Sequence, residues 1–216
     1  MLADPVAAEG DWLIALKQDG GRGRYGRVWE SIVGNFHGST LIQLRPSDPP
    51  APSLALVAGL ALVEALDVAA PAANLSLKWP NDLMLGDAKL AGILLERSGE
   101  QVVAGFGINL AGAPAISGRK TAALNVITNV SPQDLAPILA ARFEAMLGAW
   151  RAAEPPAFAQ AWMARAHPLG TALNVFSGPS ERISGSFDGI EADGAMRLKL
   201  DDGSIEIVRA ADVSLA

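Results

Sequence analysis

At 216 residues the chain has the length of one domain, or of one domain with a small appendage. Half of it is hydrophobic and 19% is charged, and 17 Lys+Arg against 23 Asp+Glu leave a net charge of -6. These figures exclude a multidomain machine and global disorder, and they argue against nucleic-acid binding by the whole surface. There is no cysteine, so disulfide frameworks and thiolate metal sites are excluded, and the two histidines, His37 and His167, are too few for a typical zinc centre. The longest apolar stretch, 54–66, falls short of the roughly 20 residues a bilayer span needs. The N-terminus carries Asp4 and Pro5 where a secretory signal needs a basic start. The expectation is therefore no membrane span and a cytoplasmic location.

In chain order, residues 11–17 read as a strand and 18–28 as a Gly/Arg-dense loop. Residues 41–44 read as a strand ended by the prolines of 46–52, and 53–66 as a buried helix opened by a capping Ser53. Short apolar strands follow at 75–78, 83–85, 90–96 and 102–108, separated by the turns Gly86-Asp87 and Ser98-Gly99. Such close turns imply antiparallel hairpins in part of the sheet. Residues 131–166 read as helical, with Ser131-Pro132 as cap and first turn and an apolar stripe of Leu135, Ile138, Leu139, Phe143, Met146, Leu147 and Trp150. From His167 onward, strands at 172–176, 182–187, 196–200 and 205–208 alternate with turns at Gly178-Pro179, Asp193-Gly194 and Asp202-Gly203, a meander suited to a small barrel. The fold class is α+β, with a mixed, partly antiparallel sheet and flanking helices, divided into domains at 1–166 and 167–216.

Four segments concentrate chemistry. In Gly21-Arg22-Gly23-Arg24-Tyr25-Gly26-Arg27, three arginines within six residues repel one another without side-chain bulk to pack, so the segment should be mobile when empty. An anion would resolve that repulsion: guanidinium forks suit carboxylate and phosphate oxygens, and glycines let backbone N–H groups approach. A solvated basic turn or a nucleic-acid contact is the bland alternative. In Lys78-Trp79-Pro80-Asn81-Asp82-Leu83, Pro80 ends a strand and presents Asn81 and Asp82 in a turn, either to a ligand or simply to satisfy the turn itself. Lys89-Leu90-Ala91-Gly92-Ile93-Leu94 sets a lysine at a strand start and a glycine inside the strand. In Gly105-Phe106-Gly107-Ile108-Asn109, two glycines on one face leave a slot for something flat.

In this order and spacing the four segments resemble the signature motifs of the biotin protein ligases, the biotin-[acetyl-CoA-carboxylase] ligases, and Gly34-Asn35 is similar to a further family element. The resemblance implies a class II synthetase-like catalytic domain followed by a small C-terminal SH3-like β-barrel. It implies a reaction in which biotin and ATP, with Mg2+ assisting, give biotinyl-5'-AMP and pyrophosphate, and a lysine of a biotin carboxyl carrier domain then takes the biotin. Carried over residue by residue, Arg22, Arg24, Lys89 and Asp82 are the catalytic group, with Asp82 the candidate base for the carrier amine. Gln18, Gly21, Arg22, Arg24, Lys89, Gly92 and Gly107 hold biotin. Arg24, Arg27, Trp29, Asn81, Lys89 and Asn109 hold ATP or the adenylate, and metal ligands stay unassigned. The family's Ser/Thr-Asn segment upstream of the arginine loop has no match in residues 1–10, which read like the tail of a helix; a late start and a weakened biotin pocket are expected. The family's DNA-binding domain has no counterpart either, so no DNA partner is expected, and edge-to-edge sheet pairing into a homodimer is left open. His37 and His167 read as structural or solvent-facing. Two other readings stay open: a lipoate or octanoyl ligase-like enzyme, and a non-catalytic binder of biotin or nucleotide.

Overall fold

The computed structural model describes residues 7–152, 155–176, 182–209 and 211–215. Its first unit is a six-stranded sheet in the order β1-β2-β6-β5-β4-β3. The strands are β1 (Trp12–Ile14), β2 (Phe36–Gln43), β3 (Leu75–Lys78), β4 (Asp82–Leu85), β5 (Ala88–Ser98) and β6 (Gln101–Ile108). The pairings between these strands are all antiparallel, and the parallel partners expected of a mixed sheet occur only as isolated bridges, Leu77 with Ala166 and Lys89 with Thr121. The two-residue turns at 86–87 and 99–100 leave no length for the crossovers that parallel neighbours need.

One face of the sheet is covered by helices. α1 (Leu54–Ala69) buries eleven residues, because Ala, Leu and Val surround it on nearly all sides. With the short turn before it, this apolar stretch reaches 19 residues, longer than expected and enough by length and composition to cross a membrane, but two thirds of it is buried between sheet and neighbouring helix. Ser53 does not cap α1: its hydroxyl donates to the Pro50 carbonyl and accepts from the Trp150 indole, tying two helices together. α2 (Pro132–Ala152) buries Leu135, Leu139, Phe143, Leu147 and Trp150, and Ser131 caps it through the Asp134 N–H. The helical zone expected to 166 contains two helices: α3 (Pro155–Met163) follows α2, and the proline pair 155–156 supplies no N–H to continue α2. Phe106, Trp12 and Phe143 cluster with centroids 5.6 to 6.0 Å apart where sheet meets α2.

A second antiparallel sheet, in the order β10-β9-β8-β7-β11, comprises β7 (Ala172–Phe176), β8 (Arg182–Ile190), β9 (Met196–Lys199), β10 (Ile205–Val208) and β11 (Asp212–Leu215). β11 was absent from the sequence reading; its four residues carry too short an alternation to stand out. The Gly178-Pro179 turn lies outside the described residues, as do residues 1–6 of the expected helix tail, while Glu9 and Gly10 form a turn. The core runs on into this second sheet through Leu173, Val175 and Phe187, and the Trp79 indole donates to the Gly194 carbonyl at 2.9 Å.

Candidate active site

A cleft of about 1140 Å³ opens on the sheet face away from the helices, and all four motifs line it. That volume lies slightly above the range of ordinary single-ligand pockets, roughly 300–1,000 Å³. Its floor is set by register. Asp82 stands opposite Gly92 on β4 and β5, and Gly92 stands opposite Gly107 on β5 and β6. Simple alternation would turn Lys89 to the buried face with Ala91 and Ile93. The ladder slips at Leu83/Met84, however, so Met84 pairs with Lys89 and Leu90 is skipped. This bulge re-aims Lys89 onto the face of Asp82, and its ammonium donates to Asp82 Oδ1 at 2.5 Å.

The slot between Gly92 and Gly107 is real, and a flat group fills it: the indole of Trp29. A Cβ on Gly107 would lie 2.4 Å from Trp29 Cε2, and one on Gly92 would lie 3.0 Å from Cζ3. The Lys89 ammonium lies 5.6 Å from the same ring, and the indole N–H is buried without a partner. In this structure the indole, rather than open space, occupies the place the resemblance gave to biotin's ring.

The arginine loop forms a small hairpin. Gly23 N–H donates to the Arg27 carbonyl at 2.7 Å, Trp29 N–H donates to Gly21, and Tyr25 takes the left-handed conformation at φ 57°. The Arg24 and Arg27 guanidinium carbons lie 5.1 and 5.5 Å from the Tyr25 ring centre. Their repulsion is offset within the protein, by the Ala211 carbonyl at 2.9 Å from Arg24 Nη1 and the Asp212 carboxylate at 2.6 Å from Arg27 Nη2. Arg22 is exposed at the cleft, with only a 3.5 Å contact to the Gly21 carbonyl.

The remaining expected residues are held by the scaffold. Gln18 N–H donates to Ser31 Oγ, which shares a hydrogen bond with His37 Nε2 at 3.0 Å. His37 is buried rather than solvent-facing, and desolvation lowers its pKa. Asn81 donates to the Ile93 carbonyl. Asn109 is buried, accepting from Asn35 and donating to the Ala122 carbonyl. Asn35 in turn clamps Ala111 and Gly112, which start the loop that brings Arg119 and Thr121 to the cleft.

A family model described as the Biotin/lipoate A/B protein ligase family matches residues 7–112, and one described as the Biotin protein ligase C terminal domain matches residues 175–216. A Biotin--[acetyl-CoA-carboxylase] ligase of Paracoccus denitrificans is 38% identical over 94% of this chain and 89% of its own length. The chain belongs to the biotin protein ligase family. A second relative of the same name, from Mycobacterium tuberculosis, is 33% identical over 95% of this chain and 79% of its own. The biotin protein ligase of Aquifex aeolicus, solved with biotin and ATP, shares the fold at a TM-score of 0.86 and 24% identity, covering 97% of this chain and 91% of that one.

For a biotin protein ligase, sequence reasoning missed several cleft residues. Lys78 lines the cleft near Lys89, Asp82, Arg119 and Asp212, and burial pushes its amine below the ordinary lysine value. Its motif contained it, but no spacing gave it a role. Asp212 lies far from every motif in sequence, and Arg119 lies in the loop that follows the last of them. His167 sits edge-on to Phe187 at 4.4 Å, its pKa lowered by burial, as a packing residue at the junction of the two sheets.

Proposed function

We propose that this cleft joins biotin to ATP and passes the biotin to a lysine of a carboxyl carrier domain. The observation that carries the reading is the meeting, on one face, of three arginines, the Lys89–Asp82 pair and a glycine floor. A carboxylate and a triphosphate repel each other, so bringing them together needs fixed cations whose attraction grows as charge develops in the transition state. Arg22, Arg24 and Lys89 are read as the groups that meet the biotin carboxylate and the α-phosphate, with Arg27, Trp29, Asn81 and Asn109 around the nucleotide. The scaffold hydrogen bonds of Asn81 and Asn109 give them their part through the shape of the wall. Gln18, Gly21, Gly92 and Gly107 are read as the biotin side, which requires the Trp29 indole to yield the slot.

In the first step a carboxylate oxygen of biotin attacks the α-phosphorus, the bond to the β-phosphate breaks, and pyrophosphate leaves. In the second, the carrier amine attacks the acyl carbon of the mixed anhydride, an amide forms, and AMP leaves with its phosphate oxygen. Asp82 is read as the acceptor of the amine's proton, with Lys89 beside it steadying the carboxylate. No cluster of three His, Cys, Asp or Glu side chains among the described residues forms a metal cage. Mg2+ bound with the phosphates would supply neutralisation of their charge, and its protein ligands stay unassigned. The same proposal reads the six-stranded unit as class II synthetase-like, the five-stranded one as an SH3-like barrel, and 166/167 as the boundary. It also places the reaction in the cytoplasm, where ATP is made available.

The test is calorimetric titration with biotin, then with biotin, ATP and Mg2+ while pyrophosphate is measured. Biotin binding followed by one equivalent of pyrophosphate, not elicited by lipoate, is expected. Pyrophosphate that follows lipoate instead, or binding without any pyrophosphate, overturns the reading.

A further inference from the structure

The arginine loop and β11 are separated by nearly the whole chain, yet two contacts join them. Arg24 Nη1 donates to the Ala211 carbonyl at 2.9 Å, and Arg27 Nη2 to Asp212 Oδ1 at 2.6 Å. The two ends of this link differ in what fixes them. Asp212 pairs with Phe176 in a ladder of four register partners, so its backbone is set by the second sheet. The loop is rich in glycine and contributes no buried apolar side chain of its own before Trp29. Inside the loop, Arg27 Nε donates back to the Arg24 carbonyl at 3.2 Å, so a force on Arg27 is passed to Arg24. Asp212 itself lines the cleft.

We propose that Asp212 is a positioning residue of the active site, acting through Arg27: its carboxylate anchors the arginine loop to the second sheet and thereby sets where the loop's cations stand. This rests on the adenylate-forming reading for its effect on turnover, but the anchoring itself does not. An isolated ion pair at this exposure, 40% for Arg27 and 33% for Asp212, contributes little to global stability. Its effect falls on the local opening of a segment with few other contacts.

The experiment uses the full chain without ligand and follows trypsin cleavage after Arg22, Arg24 and Arg27 by mass spectrometry. Asp212→Ala and the isosteric Asp212→Asn should speed cleavage in the loop by roughly two- to fivefold, the range an exposed ion pair can hold back. Cleavage elsewhere and the melting temperature should stay unchanged, and Asp212→Glu should restore protection. Unchanged loop cleavage in both variants, or acceleration spread evenly over all sites, overturns the anchor. With biotin, ATP and Mg2+, the variants should raise the KM for ATP and the release of free biotinyl adenylate. Asp212→Ala should add less than about twofold to the defect of Arg27→Ala, because both remove one link; full additivity shows that Asp212 acts without Arg27 and overturns the proposal. If no adenylate forms in any form of the protein, the functional reading fails while the proteolysis result still decides the anchor.

Discussion

On the sheet wall of the cleft, Asp82, Gly92 and Gly107 stand in one row of ladder partners; on the loop wall, Arg24 and Arg27 are tied to Ala211 and to Asp212, which opens a strand of a different sheet. The first wall is fixed by main-chain hydrogen bonds shared among β4, β5 and β6, which hold whatever the side chains do. The second is closed by a few main-chain hydrogen bonds of its own hairpin and is tied to another unit by two side-chain contacts. A change on the sheet wall should therefore remove a chemical group and leave the geometry, whereas a change on the loop wall should loosen geometry and leave part of the chemistry.

Lys89→Ala gives the largest expected effect and the sharpest use of this contrast: pyrophosphate formation should fall on the order of 10²–10³-fold, as when one preorganised charge-stabilising donor is lost, with the fold unaltered by circular dichroism. Arg24→Ala should instead raise the release of free biotinyl adenylate, about tenfold for the loss of a charge-assisted contact, because water then reaches the mixed anhydride. Loss of turnover without extra free adenylate would show that Arg24 does not shield the intermediate, and the two walls would then behave alike.

Gly107→Ala tests the place where the walls touch. The new Cβ meets the Trp29 ring at 2.4 Å, so the indole must leave the slot or the strands must part. Overpacking of this kind costs about 1–3 kcal/mol, read as a melting temperature lower by several degrees together with altered Trp fluorescence. An unchanged melting temperature and spectrum would mean that the indole does not sit there.

The smallest effect lies away from the cleft and serves as its control. Glu9 accepts from Arg151 at 2.9 and 2.7 Å, a hydrogen-bonded pair that holds the Glu9 carboxyl at about 2, below its ordinary 4.5. A depressed folded-state value means that the contribution is complete above about pH 4.5 and lost as pH falls toward about 2. The wild type should melt a few degrees above Glu9→Gln at pH 6, and the gap should close between those limits; a gap independent of pH would exclude the ion pair as its source.

Much of the site was legible because the residues that carry it sit close together in the chain. Gly105 and Gly107, two apart on a strand, had to share a face, and the close turns at 86–87 and 99–100 had to give antiparallel neighbours. The apolar stripe from Leu135 to Trp150 had to turn inward: five of its residues are buried, and Ile138 and Met146 pack partly buried at its margin. What failed to show was whatever depends on partners far along the chain. The three like charges of the loop have no counterion nearby in the chain, and the one that Arg27 finds is 185 residues away. The glycine slot looked open because nothing local says that Trp29 folds back across it. Ser53 read as a cap because its position suits one, but the Trp150 indole claimed its hydroxyl.

The sequence by itself determined most of the element types, the motif residues and the family to which they point, since periodicity and short-range turn chemistry act over a few residues. Tertiary structure alone decided that a skipped Leu90 turns Lys89 toward Asp82, and that β11 reaches back to hold the arginine loop. The physical reason is that strand register and ion pairing are settled between distant segments, by which main-chain and charged groups find each other once the core has closed.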